Sequence, residues 1–163
     1  MNAKATRPTA PDPEDAYRDA PFLPEELGWY MGSLAQWLRV GRDPAGRRER
    51  LLREAALQDR TALMAEDNAA YVARQRDETA QAFRQAREDA RGDVARAAQA
   101  LIDFDRAAGG RLGPHSSEEF GTGGLRSYVR QEYQLYRAAL DAASNHQDEG
   151  TRANVAKHHH HPA

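Results

Sequence analysis

The chain contains no cysteine and no long apolar run. The missing thiols exclude disulfides, thiolate nucleophiles and thiolate metal sites, and they fit a cytoplasmic protein. The most apolar stretch, residues 27–38, is 12 residues long, whereas a membrane-spanning helix needs about 20. Residues 1–20 lack the apolar core of a signal peptide. We therefore expect a cytoplasmic protein without a membrane segment.

Large apolar side chains are also scarce. Leucine, isoleucine, valine and phenylalanine make up 23 of the 163 residues, whereas alanine alone makes up 31. This composition indicates a thin and elongated core. The net charge is only −2, from 23 basic and 25 acidic residues in mixed order, which is typical of solvated helix faces rather than of a disordered chain. Arginine outnumbers lysine 21 to 2, which together with the many alanines is typical of GC-rich coding, so arginine richness alone is no evidence of function.

The segment from residue 43 to residue 108 has the composition of a helix. Alanine, arginine, glutamate, glutamine and leucine dominate it, and Gly92 is its only glycine after the first turn. Asp43 and Pro44 suit the N-cap and the first helical position, and Gly109 suits the position after the last turn. The segment therefore predicts a very long central helix.

Two arrangements of this segment remain open. One unbroken helix over residues 43–108 would be about 95–100 Å long at about 1.5 Å per residue. A break at residues 66–68, where Asn68 is a plausible turn residue, would instead fold the segment into a hairpin. The unbroken helix is the preferred interpretation.

Two further helices complete an all-α prediction. Apolar residues at helical spacing predict a short N-terminal helix over residues 24–40. Residues 109–124 hold six glycines and one proline, so they form a connection in which residues 116–119 suit one capped turn. A last helix is expected over about residues 125–145, and the connection is long enough for it to fold back along the central helix.

The two ends of the chain are predicted to be disordered. Residues 1–20 hold three prolines and few apolar side chains, and residues 147–163 read as a solvated tail. A single elongated helical domain is then expected over residues 21–146. Histidines 158–161 could bind zinc, copper or nickel, but incidental affinity of a solvated tail is the preferred interpretation, so no metal site is assigned.

A stripe of small and apolar residues follows the central helix at a mean step near 3.5 residues, the period of a left-handed coiled coil. Its alanines permit a close approach by a second helix, although they bury less area than leucines would. We therefore predict a homodimer or a partner helix along this stripe, and a non-enzymatic interaction or scaffold protein as the leading function. This alanine seam consists of Leu51, Ala55, Ala62, Ala65, Ala69, Val72, Phe83, Ala86, Ala90, Val94, Ala97, Leu101 and Phe104.

A cluster of arginines at the start of the central helix supports an alternative function. Guanidinium groups near a helix N-terminus could neutralise phosphates, so the chain could be a nucleic-acid-associated accessory protein. However, Glu49 and Glu54 can pair with arginines four residues away, and a salt-bridged helix face is the preferred interpretation. No helix-turn-helix or zinc-finger pattern is visible. The arginine cluster consists of Arg42, Arg47, Arg48, Arg50 and Arg53.

The sequence assigns no catalytic residue and no cofactor. Residues 120–124 precede a helix and could hold an anion, but they lack the Gly-Lys-Ser/Thr ending and the preceding strand of nucleotide-binding loops. Asp103 and Asp105 point about 200° apart on a helix, so they cannot act as a pair. The aromatic residues around Trp29 and Trp37 are interpreted as a small core rather than as a recognition patch.

Two segments resemble parts of uncharacterised small helical proteins from high-GC bacteria. They are Ser127–Tyr133, with the sequence SYVRQEY, and the arginine- and leucine-rich run over residues 47–60. The resemblance implies a small helical protein and carries no activity that could be transferred to this chain.

Overall fold

A computed structural model of the protein describes residues 7–40, 43–72 and 78–158, with backbone only at residues 40, 44, 45, 72, 78, 79 and 146–158. These residues form helices and connections and no strand, so the all-α prediction is confirmed. The helices are α1 (Pro13–Tyr17), α2 (Leu23–Val40), α3 (Pro44–Val72), α4 (Glu78–Ala108), α5 (Ser117–Phe120) and α6 (Gly124–His158).

Long central helices are present as expected, but there are two of them, and they form a hairpin. Arg48 near the start of α3 pairs with Asp105 near the end of α4, and Glu66 pairs with Arg91 further along, so the two helices are antiparallel. The preference for one unbroken helix is corrected accordingly. The interruption lies beyond Val72 and not at residues 66–68, and residues 73–77 lie outside the described residues.

The main core lies where α6 packs on this hairpin. Leu52 of α3, Leu101 of α4 and Val129 of α6 are fully buried, and the Tyr133 ring lies among them. Alanines fill the space between these larger side chains, which allows the three helices to approach closely. A second and smaller cluster of alanine and valine lies between α3 and α4 alone.

The first turn of described structure, α1, is part of the fold. The carboxylate of Asp12 accepts a hydrogen bond from the Glu14 amide at 2.8 Å, and Pro13 takes the first helical position. Ala16 is buried, and the Tyr17 ring packs against Tyr133 with 5.5 Å between centroids. The predicted disordered arm over residues 1–20 is therefore corrected for α1, because the sequence pattern did not reveal its contacts with α3 and α6.

Glycines shape the connection from α4 to α6. Gly109 follows α4 with a φ of 68°, as the sequence predicts for a helix end. The expected capped turn is α5, where the Ser116 amide donates to the Glu119 carboxylate at 2.5 Å. Any side chain at Gly124 would meet the Ser117 carbonyl oxygen, which lies 2.0 Å from the position of an added Cβ. The α6 backbone continues to His158, beyond the end predicted near residue 145.

Candidate functional site

The helix α2 is held against α3 by a few polar and aromatic contacts. Of the described helices, only α3 makes extended contact with it. Glu26 is buried and accepts a hydrogen bond from Arg53 Nε at 2.5 Å. The Arg53 guanidinium also lies 3.4 Å from the centroid of the Trp29 ring. Burial alone would lower the pKa of Arg53, but its hydrogen bond and charge interaction with Glu26 outweigh that effect and raise it.

A cleft of about 640 Å³ separates the rest of α2 from the start of α3. Its walls include Trp29, Trp37 and the carboxylates of Asp43 and Glu49. Such a combination could receive a cationic group. The two tryptophan faces, however, already carry guanidinium groups of this chain, since Arg50 lies 4.9 Å from the centroid of Trp37 and Arg53 covers Trp29. The predicted aromatic core is thus a stacked aromatic–arginine contact that attaches α2 to α3.

The opposite side of α2 is apolar and open. Leu27, Met31 and Leu38 follow one another at helical spacing and are 49%, 56% and 72% exposed. Beside them lie Gly28 and Gly32, where an added Cβ would have no neighbour within 4 Å. We call this surface the outward face of α2; it consists of Leu27, Gly28, Met31, Ala35 and Leu38, with Gly32 at its border, where this glycine also lines the cleft. Sequence analysis placed these residues in a helix but did not single out their open side.

The alanine seam, in contrast, is an intramolecular contact. The hairpin brings its two halves together, so the chain itself supplies the partner helix that the sequence analysis sought in another molecule. Only Ala86 is exposed among the seam residues whose side chains are described, and the side chain of Val72 lies outside that description. The buried members are Ala55, Ala62, Ala69, Ala90, Val94, Ala97 and Leu101, and the half-buried members are Leu51, Ala65, Phe83 and Phe104.

The described members of the arginine cluster are occupied by contacts within the chain. Arg48 pairs with Asp105 and Glu132, and Arg53 pairs with Glu26 and Glu49. Arg50 stacks on Trp37 as described above. The exposed Arg47 lies 5.4 Å from the centroid of Phe104, and Arg42 lies outside the described residues. These contacts agree with the salt-bridged interpretation and do not favour a phosphate-binding surface.

Buried carboxylates link the three long helices. Glu132 of α6 accepts hydrogen bonds from Arg48 and from the amides of Leu112 and Gly113, each at 2.7 Å. Asp105 of α4 accepts from Arg48 Nε at 2.6 Å and from the Tyr128 hydroxyl at 2.8 Å. Burial and the Asp105 hydrogen bond raise the pKa of Tyr128. Because Asp105 faces inward and Asp103 is exposed, the prediction that these two carboxylates do not act together agrees with their positions.

Another buried carboxylate, Asp59 of α3, binds groups from α1 and α6. It accepts hydrogen bonds from the Tyr17 hydroxyl and Arg130 Nε, each at 2.7 Å, and from Arg126. Burial and the charge of Asp59 raise the pKa of Tyr17 well above its usual value. Sequence analysis did not predict this cluster of groups around Asp59. The feature that could have indicated it is an acidic residue between Ala55 and Ala62, on the buried side of an otherwise apolar helical pattern.

The glycine segment over residues 120–124 borders a cleft of about 780 Å³ between α3, α4 and the start of α6. Gly121 and Gly123 have φ values of 71° and 83° there. Arg91 and Arg126 line the cleft, but both pair with Glu66, at 3.2 and 2.9 Å. Burial would raise the pKa of Glu66, but these two arginines outweigh it and lower it. Arg91 also pairs with Glu88 and Arg126 with Asp59, so both cations that an anion would need already have carboxylate partners.

Comparisons of the chain with family models, with curated proteins and with solved structures found no match. Within the described residues, no group of histidine and acidic side chains is arranged to hold a metal ion. Histidines 159–161 of the tail lie outside these residues. No helix in the described part of the chain is long and apolar enough to cross a membrane.

Proposed function

We propose that this protein is a non-enzymatic interaction protein, with a scaffold role, that binds a helix of another polypeptide through the outward face of α2. The observation that carries this proposal is the exposure of Leu27, Met31 and Leu38 in a row on a helix that is itself fixed to a packed bundle. Exposed apolar residues scattered singly are ordinary, whereas a continuous apolar patch is typical of a binding surface.

The mode of attachment of α2 supports the same proposal. Glu26 and Trp29 bind Arg53 on one side of α2, so the opposite side is presented in a defined orientation. A presented helix loses little conformational freedom when a partner binds, which favours affinity. The partner is either a second copy of the chain or a different protein with an apolar helix face.

The three buried carboxylates that link α3, α4 and α6 are best explained as structural groups. Glu132, Asp105 and Asp59 direct their oxygens at arginines, tyrosines and backbone amides of the same chain. Buried carboxylates with such complete internal pairing connect helices and have no free oxygen directed at a substrate. This pairing supports a non-enzymatic role.

Site-specific photocrosslinking tests the proposal. A photoreactive amino acid replaces Met31 in the full chain, and a matched variant carries it at Met64, a methionine of α3 with similar exposure. Both are irradiated in a cell lysate, and the adducts are identified by mass spectrometry. We expect a defined protein adduct at position 31 that is absent at position 64 and is lost when Leu38→Glu is added. Equal adducts at both positions, or none at position 31, would overturn the proposal.

A further inference from the structure

Resting on the proposed function, we infer that the occupant of the outward face is a second copy of this chain, whose α2 packs antiparallel about a two-fold axis beside Gly32. A two-fold axis brings each residue of one helix opposite the residue at the same distance on the other side of the centre, and side chains within one or two positions of that register still meet, because one position is only about 1.5 Å along a helix. The outward face of α2 is self-complementary under this operation.

Large side chains meet large side chains in this arrangement. Leu27 lies five positions before Gly32 and Leu38 lies six positions after it, so each Leu27 lies within one position, about 1.5 Å along the helix, of Leu38 of the second copy. Met31 lies one position before the centre, so the two Met31 residues lie two positions, about 3 Å, apart along the helix and still meet. These residues lie within about 40° of one another on a helix at about 100° per residue, so they form one edge of the contact.

Small side chains form the middle of the contact. Gly28 lies four positions before the centre and Ala35 three positions after it, so Gly28 lies within one position of Ala35 of the second copy, and the two Gly32 residues meet at the axis. Space next to Gly28 and Gly32 is open to at least 4 Å from an added Cβ. Two helix backbones can therefore approach at the short end of the usual interaxial distance of about 8–10 Å.

Charge complementarity distinguishes antiparallel from parallel packing. Glu25 and Arg39 are exposed, lie seven positions on either side of Gly32, and form no ion pair within the described residues. On a helix they lie about 40° apart, along the edge opposite the leucines. Antiparallel packing places each Glu25 beside Arg39 of the second copy, whereas parallel packing places like charges together. A two-fold axis repeats this pair, so both ends of the contact are matched.

The proposed interface is small, so the dimer should be weak. With 18 residues, α2 is about 27 Å long, and a contact of this size falls at the low end of specific interfaces, below about 1,200 Å². The dimer is therefore expected to dissociate on dilution, and mass must be followed over a range of concentrations.

Charge exchange tests the inference directly. The purified full chain is compared with Glu25→Arg, Arg39→Glu and the double variant by sedimentation equilibrium. We expect a wild-type dimer, a dissociation constant raised about tenfold or more in each single variant, and recovery to within about threefold of wild type in the double variant. Helical content and unfolding midpoint serve as folding controls, because neither residue forms an ion pair with any part of the chain that the structure describes.

Two results would overturn the inference. One is a wild-type chain that stays monomeric at every concentration, and the other is a double variant that associates as weakly as the single variants. A monomer whose position 31 still crosslinks to a different protein would remove this inference while leaving the proposed function in place.

Discussion

Two helices of this protein carry apolar stripes at helical spacing, and the two stripes have opposite fates. On α4 the stripe consists mostly of small residues, with Ala90, Val94 and Ala97 ahead of Leu101, and it is buried against α3. On α2 the stripe is large, with Leu27 and Leu38, and it is open. Side-chain size therefore does not decide which stripe is covered. The stripe of α4 is buried because the hairpin places α3 against it. The stripe of α2 stays exposed because α2 is attached to α3 through its opposite side.

The largest expected difference in unfolding free energy is between alanine substitutions at one leucine from each stripe. Leu101 of α4 is fully buried and Leu38 of α2 is 72% exposed. Replacing Leu101 with alanine leaves a cavity and should lower the free energy of unfolding by about 2–5 kcal/mol. Leu38→Ala should change it by less than about 0.5 kcal/mol when measured on dilute, monomeric protein. Urea unfolding monitored by circular dichroism measures both, and similar losses in the two variants would contradict the comparison.

A slightly smaller loss of unfolding free energy should follow when the buried charge of Glu132 is removed. Glu132 receives Arg48 and two backbone amides in a buried setting. The isosteric Glu132→Gln change removes the charge and turns one acceptor into a donor, so we expect a loss of about 2–3 kcal/mol in unfolding free energy. Glu118→Gln is the matched control, because its pair with Arg106 is solvent-exposed. If the control loses as much stability as Glu132→Gln, the buried network is not what connects the helices.

High pH should destabilise the bundle through its buried tyrosines. Burial, with the Glu26 charge as a further cause, raises the pKa of Tyr133 from 10.0 to about 12. The folded state therefore favours the neutral phenol. The stability from this group is complete below pH 10 and is lost as the pH rises from 10 to about 12. Unfolding free energy should fall across this range, and it should fall less steeply in Tyr133→Phe. Identical slopes would show that Tyr133 is not responsible.

The smallest expected effect comes from replacing one glycine in each of the two helices with alanine. Gly92 in α4 and Gly28 in α2 both lie inside helices, and neither has a backbone neighbour close to an added Cβ. Alanine at either position should stabilise the monomer by about 0.5–1 kcal/mol. Only Gly28→Ala should also weaken the dimer, because its methyl group separates the two α2 helices. Sedimentation equilibrium measures this, and an unchanged dissociation constant for Gly28→Ala would contradict the close approach.

Local signals predicted several elements of this fold. The expected helix over residues 24–40 is α2, the glycine at 109 marks the end of α4, and the capped turn is α5. Each depends on a few neighbouring residues whose propensities and capping groups act locally. The open and buried sides of α2 were not predicted, because they depend on which side meets Arg53, 27 positions from Glu26.

The hairpin and its buried charges could not be derived in the same way. Residues 43–108 contain good helix formers throughout, so helix propensity gives no indication of where the chain reverses. The pair of Arg48 and Asp105 spans 57 positions and becomes visible only after that reversal. A seam that fits a second molecule and a seam that fits the other half of a hairpin have the same spacing. The spacing therefore predicts a helix–helix seam without indicating whether the partner helix belongs to a second molecule.

Cysteine pairing tests the central claim most directly, since the chain has no cysteine of its own. Leu27→Cys and a mass-tagged Leu38→Cys chain are oxidised separately and as a mixture. The antiparallel dimer predicts efficient disulfide formation between the two different variants. It predicts little within either one, because two copies of residue 27 then lie about 15 Å apart along the helix, beyond disulfide reach. Pairing of Leu27→Cys with itself as readily as with Leu38→Cys, or no pairing at all, would contradict the account.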